Sequence, residues 1–280
     1  MKKRSLLLFL AVLSLALPSL TGGCAAGKSS RLKVVTSTSL LSYITQQVGG
    51  DYVEIVNLIA PANHPGNFDV RPGDIQTLAS AGVFLLHGWP GETYADGMIA
   101  AANNPDLKAF KIVVDGNWMT PPVQQTAAGK VADALAEVDA AHADAYRKAA
   151  EAYQNRVAAR TTEIQGRLAQ AGVSRVNVIA SQMQAGFLAW AGMKVVATYG
   201  LPDSLTPQAV GNLVDQGKQA QVTLVADNLQ SAPDAGKAVA EELGVKRVIL
   251  SNFPGGYDDT ETWEKAIDNN VKLILEAIGG

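Results

Sequence analysis

Three histidines and one cysteine are all the imidazole and thiol in this 280-residue chain. A site for zinc or a first-row transition ion must draw on those groups and on carboxylates, the donors such ions require. His64 stands at the head of the loop P-G-N-F-D-V-R-P-G-D, residues 65–74. There a loop opens onto a helix, the usual place for a binding residue on a rigid scaffold. His87 opens a second loop, H-G-W-P-G-E, and His142 lies in a long Ala/Glu/Arg/Gln-rich stretch, where it is expected to face solvent. His64 is either a polar loop residue or a lone replacement ligand, and it is the only weak metal candidate near its loop. His87 either faces a cleft or is satisfied at a strand end.

The other residues able to recognise a ligand are neutral. Trp89 and Trp118 fall in loops, where they offer an aromatic wall for an organic molecule; for Trp118, core packing is the competing reading. Gln182, Met183 and Gln184 follow a strand, as do Asn228, Asn252 and Tyr257. Asp69 and Arg71 are placed to pair within their own loop. No Ser–His–Asp order, phosphate-cradling glycine loop or H-E-x-x-H helix occurs. The expectation is a binding protein and not an enzyme, with no resident cofactor.

These loops need a frame, and the chain alternates strand and helix signals in two blocks. In the first, 32–36, 53–59, 83–86 and 111–114 read as strands, with helices at 40–48, 72–81 and 92–103. In the second, strands at 176–180, 194–198, 222–226 and 247–250 alternate with helices at 184–191, 206–219, 233–243 and 260–278. Strands separated by helices of this length imply parallel βαβ units. From Val123 to Leu168 there is no strand signal. Asp139 is a plausible cap for a helix of about 30 residues, ~45 Å long, which reads as a rod between two lobes. The expected class is α/β: two Rossmann-like lobes with parallel sheets, joined by a long rigid backbone helix, with a ligand cleft between the lobes. Ligands in open parallel sheets sit beyond the carboxyl ends of the strands. The cleft loops are therefore 36–40, 60–72, 87–92, 115–122, 181–184, 227–231 and 251–258.

The N-terminus reads as an export signal: basic Lys2, Lys3 and Arg4, an apolar run to Leu20, then Thr21, Gly22 and Gly23 before Cys24. It resembles a bacterial lipobox, with Thr21 where leucine is usual; an ordinary cleaved signal is the alternative. Lipid on Cys24 would tether the protein without spanning the membrane, and it would remove the only thiol. The expected organisation is a signal over 1–23, a tether over 24–31, an N-terminal lobe over 32–138, a connecting helix over 139–171 and a C-terminal lobe over 172–280. A net charge of −3 gives no footprint for nucleic acid.

Pro65, Phe68, Asp69, Pro72 and Asp74 fit P-x-x-[FY]-[DE]-x-x-P-x-D. With F-L-L-H-G and Glu92, the rod with Asp139, Asp144, Tyr146 and Tyr153, and the C-terminal A-I-D-N-N-V-K-L-I-L, they make the chain similar to the TroA-like zinc and manganese solute-binding proteins of bacterial ABC importers. That resemblance implies an ABC permease and its ATPase as partners, contact with a membrane through a lipid anchor, and a location facing the periplasm or cell exterior. It also implies a metal held by histidines and carboxylates. The corresponding positions here are Gly66, Gly116 (two residues before Trp118), Gln182 (after Ser181), Asn252 and Asn228. Every expected ligand is replaced by glycine or an amide. The resemblance with these substitutions leads to a carrier of a chelated metal or small organic ligand, held by His64, Gly66, Trp89, Gly116, Trp118, Gln182, Gln184, Asn228 and Asn252. A zinc or manganese carrier with a non-standard site, and a surface lipoprotein acting as an adhesin, are the alternatives.

Overall fold

A computed structural model describes residues 31–279. The expected export signal, Cys24 and the tether up to residue 30 lie outside the described residues. Two four-stranded sheets, parallel throughout, carry the fold. The first holds β1 (Leu32–Thr36), β2 (Val53–Asn57), β3 (Val83–Leu86) and β4 (Lys108–Lys111) in the order β2-β1-β3-β4. The second holds β5 (Asn177–Ser181), β6 (Lys194–Tyr199), β7 (Leu224–Asn228) and β8 (Lys246–Leu250) in the order β6-β5-β7-β8. The central strands are runs of buried apolar residues, V-F-L-L in β3 and L-V-A in β7, as strands covered on both faces must be.

The two orders are the same, so each lobe reverses its strand order between its first and third strands. That switch point opens a crevice beyond the carboxyl ends of β1 and β3 in one lobe and of β5 and β7 in the other. One expected strand is displaced: β4 covers 108–111, not 111–114. It is an edge strand with mostly exposed side chains, so it carries no apolar run to mark it, and the chain leaves the sheet after Ile112 donates to Leu86 O. The Val113 that suggested a strand is 52% exposed.

The helices of the first lobe are α1 (Ser39–Gly49), α2 (Pro72–Ala79) and α3 (Tyr94–Ala102). The middle of the chain is a hairpin of α4 (Pro121–Val138) and α5 (Ala143–Gln170), where the sequence suggested one rod starting at Asp139. Asp139 ends α4; its carboxylate accepts hydrogen bonds from the His142 ring (2.6 Å) and the Tyr146 hydroxyl (2.7 Å), fixing the turn. Burial pushes that carboxyl up, and the bonds from Tyr146 and His142 outweigh it, leaving Asp139 below its ordinary range. The expectation that His142 faces solvent is corrected: its ring stacks on Tyr52 at 4.1 Å and is half-buried. The chain then continues through α6 (Gln182–Trp190), α7 (Pro207–Gln219), α8 (Lys237–Leu243) and α9 (Trp263–Gly279).

With 28 residues, α5 is about 42 Å long. It is fastened to both lobes. Tyr153 donates to Gln124 of α4 at 2.8 Å in the core, Arg156 reaches Gln47 of α1, and Arg160 and Arg167 both meet Asp268 of α9. A single apolar cluster runs from Val34 and Ile44 through Leu135, Tyr153 and Val157 to Leu188, Trp263 and Ile267. Each such fully buried side chain contributes about 1.5–3 kcal/mol, so the lobes share a core and do not merely touch. Smaller clusters around Phe84 and Val225 close the outer face of each sheet.

Candidate functional site

A cleft of about 600 Å³ lies beyond the carboxyl ends of both sheets, walled by loops from each lobe. Eight of the nine residues expected to bind ligand line it: His64, Gly66, Trp89, Gly116, Trp118, Gln182, Asn228 and Asn252. Gln184 does not. Two residues after Gln182 on α6, it turns into the core, fully buried, and donates to Leu250 O at 3.0 Å. Met183 is at the cleft, whereas Tyr257 bonds Ile249 O and lines a separate hollow between β8 and α9. Asp69 and Arg71 form no ion pair with each other. They border a small hollow beside the loop, and Asp74, in the first turn of α2, accepts the Arg71 backbone N–H at 2.8 Å.

The first-lobe wall is built by short local bonds. Pro65–Asn67 is a tight helical turn, and the His64 ring caps it by accepting the Gly66 N–H on Nδ1 at 3.0 Å. A Cβ on residue 66 would lie 3.1 Å from Cε1 and Nδ1 of that ring, so His64 fills the space that a side chain at position 66 would need. Burial pulls the His64 pKa below its ordinary value, which keeps the ring neutral. In the next loop, the Glu92 carboxylate accepts the backbone N–H groups of His87 (3.1 Å), Gly88 (2.7 Å) and Trp89 (3.1 Å), and so holds Trp89 in place.

His87 sits behind the cleft wall. It is 1% exposed, with Nε2 at 2.7 Å from the Thr38 hydroxyl and no partner for Nδ1. Its ring lies flat on Trp89 (3.6 Å between centroids, 4°) and edge-on to Trp118 at 4.1 Å. Burial drives its pKa well down, so it is a neutral support for the two indoles. Trp118 packs in the core at 4% exposure and still lines the cleft; its indole N–H has no partner. Gly116 has φ +107°, in the half of conformational space that disfavours side chains, and a Cβ there would meet Val123 at 3.1 Å.

The second-lobe wall is a set of interlocked amides. Asn252 donates to Met183 O at 3.1 Å and accepts from Asn117 of the other lobe at 3.1 Å; Asn117 also donates to Met183 O at 2.8 Å. Gly186 permits this approach, since a Cβ there would lie 3.1 Å from Asn117 Cβ. Gln230 accepts the Asn252 N–H at 3.0 Å and donates across the cleft to Pro61 O at 3.0 Å. Asn228 accepts the Ser231 N–H at 2.8 Å. Thus Asn252, in a position where the family resemblance implies a carboxylate ligand, has its amide committed to joining the lobes. Asn117, Gln230, Ser231 and Phe253 line the cleft without having been singled out in the sequence. All four fall within loops identified there, but only the folded contacts distinguish them from their neighbours.

Among the described residues none that lines the cleft is Asp, Glu, Lys or Arg. Among the described residues no three His, Cys, Asp or Glu side chains come together to hold a metal ion. What the cleft offers is aromatic surface, amides and one neutral imidazole.

A family model described as zinc-uptake complex component A, periplasmic, matches residues 34–277. The iron-binding protein YfeA of Yersinia pestis is 21% identical over 272 residues, covering 90% of this chain and 88% of that protein. The manganese ABC transporter substrate-binding lipoprotein PsaA of Streptococcus pneumoniae is 28% identical over 129 residues, covering 45% of this chain and 42% of that one. Among solved structures, the solute-binding protein FpvC of Pseudomonas aeruginosa, in complex with Ni2+, superposes with a TM-score of 0.76. It is 22% identical and covers 89% of this chain and 97% of its own. At that identity the likeness speaks for the fold.

Proposed function

This chain belongs to the family of periplasmic zinc-uptake component A proteins, and on that footing we propose that it is the solute-binding component of a metal-type ABC importer whose cleft takes a metal already wrapped in its own donors. The family is a solute-binding one, so the protein's work is capture and delivery and not catalysis. Lipid attachment at Cys24 and hand-over to a permease driven by an ATPase complete the proposal. Of the relatives, YfeA is named an iron-binding protein and PsaA a manganese ABC transporter substrate-binding lipoprotein.

One observation carries the finer reading: about 600 Å³ of cleft without a charged lining residue and without a cluster of metal donors among the described residues. Leaving water for such a site costs a bare dication far more than neutral amides return. A complex that brings its own ligands escapes that cost and makes use of the aromatic walls. The second reading, a bare zinc or manganese ion on a non-standard site, is favoured by kinship, since the family and its relatives are named for metals.

A thermal-shift screen of the purified protein against Zn2+, Mn2+ and metal chelates separates the two. A ligand at 100 times its Kd adds about 2.7 kcal/mol, which for a chain of this size raises Tm by roughly 5–10 °C. A shift with chelates and none with free ions supports the proposal. A shift with free Zn2+ alone establishes the second reading, and no shift with any of them favours the adhesin alternative.

A further inference from the structure

The hydrogen bond that orients His64 also decides which of its nitrogens is protonated. A backbone N–H can only donate, so Nδ1, at 3.0 Å from Gly66 N, must be the unprotonated acceptor. In a neutral imidazole the proton then resides on the other nitrogen. Histidines that bind metals show the reverse pattern: the nitrogen facing away from the metal donates its N–H to a carbonyl or carboxylate, which leaves a lone pair for the ion. His64 spends its lone pair on the protein and presents N–H. Trp118 borders the same cleft, and its indole N–H, a group that can only donate, is buried without a partner.

We propose that His64 is a specificity-determining donor, acting through Nε2–H and not as a metal ligand, and that the cargo is a metal complex of no net charge with oxygen acceptors on its surface. This rests on the carrier reading above and adds the chemical class. The charge follows from a lining without Asp, Glu, Lys or Arg among the described residues, and the oxygen acceptors follow from the N–H that His64 keeps once Nδ1 accepts from Gly66. Three hydroxamate anions bound through their oxygens to a trivalent metal meet both conditions. A trivalent metal held by neutral amines, cationic and faced with N–H groups, meets neither.

The test uses the whole protein and three probes: ferric tris(acetohydroxamate), which is neutral and oxygen-rich; tris(ethylenediamine)cobalt(III), which is cationic and faced with N–H; and Zn2+ alone. Calorimetric titration should show binding of the ferric hydroxamate only. His64→Phe, which keeps a flat ring without N–H, should weaken it about fivefold to tenfold, the range of one neutral hydrogen bond. Because that variant also loses the cap on the 65–67 turn, the tautomer is read independently in the unaltered protein from the ring 15N shifts of His64, which should show Nε2–H. An Nδ1–H tautomer, or hydroxamate binding indifferent to His64→Phe, overturns the role of His64 and leaves the carrier function standing. Tight Zn2+ binding abolished by His64→Phe overturns both the donor role and the chelate reading. Binding of none of the probes, or of the cobalt amine, overturns the neutral oxygen class.

Discussion

Putting histidine back at position 116, where the family resemblance implies a metal ligand, should damage the protein instead of repairing a site. Gly116 has φ +107°, and a Cβ there would lie 3.1 Å from Val123 Cγ2, which is itself 6% exposed in the core. Forcing an L-residue into positive φ costs about 1–2 kcal/mol, and holding such strain at a fixed site costs up to ~3 kcal/mol. Val123 must also yield a few tenths of an ångström at the start of α4, so Gly116→His is expected to lose about 2–3 kcal/mol. At 2–4 °C per kcal/mol for a chain of this size, Tm should fall by roughly 5–10 °C. In urea the midpoint should drop with the slope unchanged, the signature of lost stability without a change in the unfolded state. Gly66→His faces a different obstacle, the His64 ring at 3.1 Å, and that ring can move. A Gly116→His variant as stable as the parent would show that no strain is stored at this position. A stable Gly66→His, Gly116→His double variant that binds Zn2+ tightly would equally refute the expected damage, for then the backbone would already be set for the metal.

Three further outcomes follow from the packing. His87 is buried with its pKa held well below 6.5; below that pH the unfolded chain takes up a proton that the folded chain refuses. Its contribution is thus complete above pH 6.5 and is lost as pH falls, at up to ~1.4 kcal/mol per pH unit. Urea midpoints measured from pH 7.5 to 5 should show this slope, and His87→Gln should flatten it. Asn117→Ala removes the bonds to Met183 O and Asn252 that cross the cleft; a loss of about 1–3 kcal/mol and a larger radius of gyration in small-angle scattering are expected, and an unchanged scattering curve would show that the amide bridge does not hold the lobes together. Arg247→Met would leave Asp227, 0% exposed, without its 2.6 Å ion partner. A buried carboxylate so stranded costs about 3–5 kcal/mol, readable as a fall in Tm, and a loss below 1 kcal/mol would mean that Tyr199 and the Gly236 N–H suffice to hold it.

The alternation of apolar strands and amphipathic helices was legible because most strands are short and apolar, several with Gly or Asn at or near an end. V-F-L-L in β3 and the V-I-A run within β5 can be little else. Where an element lacks such a run it was not legible: β4 is an exposed edge strand, and α4, in the alanine-rich stretch before Asp139, carries no separate signal that marks it as a helix. The cleft loops were legible from topology, which puts the residues after parallel strands at one end of the sheet.

What those residues do there was not legible in the same way. Composition and order by themselves determined that two α/β lobes flank a helical middle, and the family resemblance implied glycine and amides at the positions of the metal donors. Only the tertiary structure decided that Gln184 faces the core, that His87 props up two indoles, and that Asn252 is tied to Asn117 of the opposite lobe, residues 135 positions apart in sequence. It alone decided that the lone pair of His64 belongs to Gly66. The reason is geometric. A residue's type fixes which bonds it can make, but the partner it makes them with depends on angles and distances that exist only once both lobes have closed around the shared core.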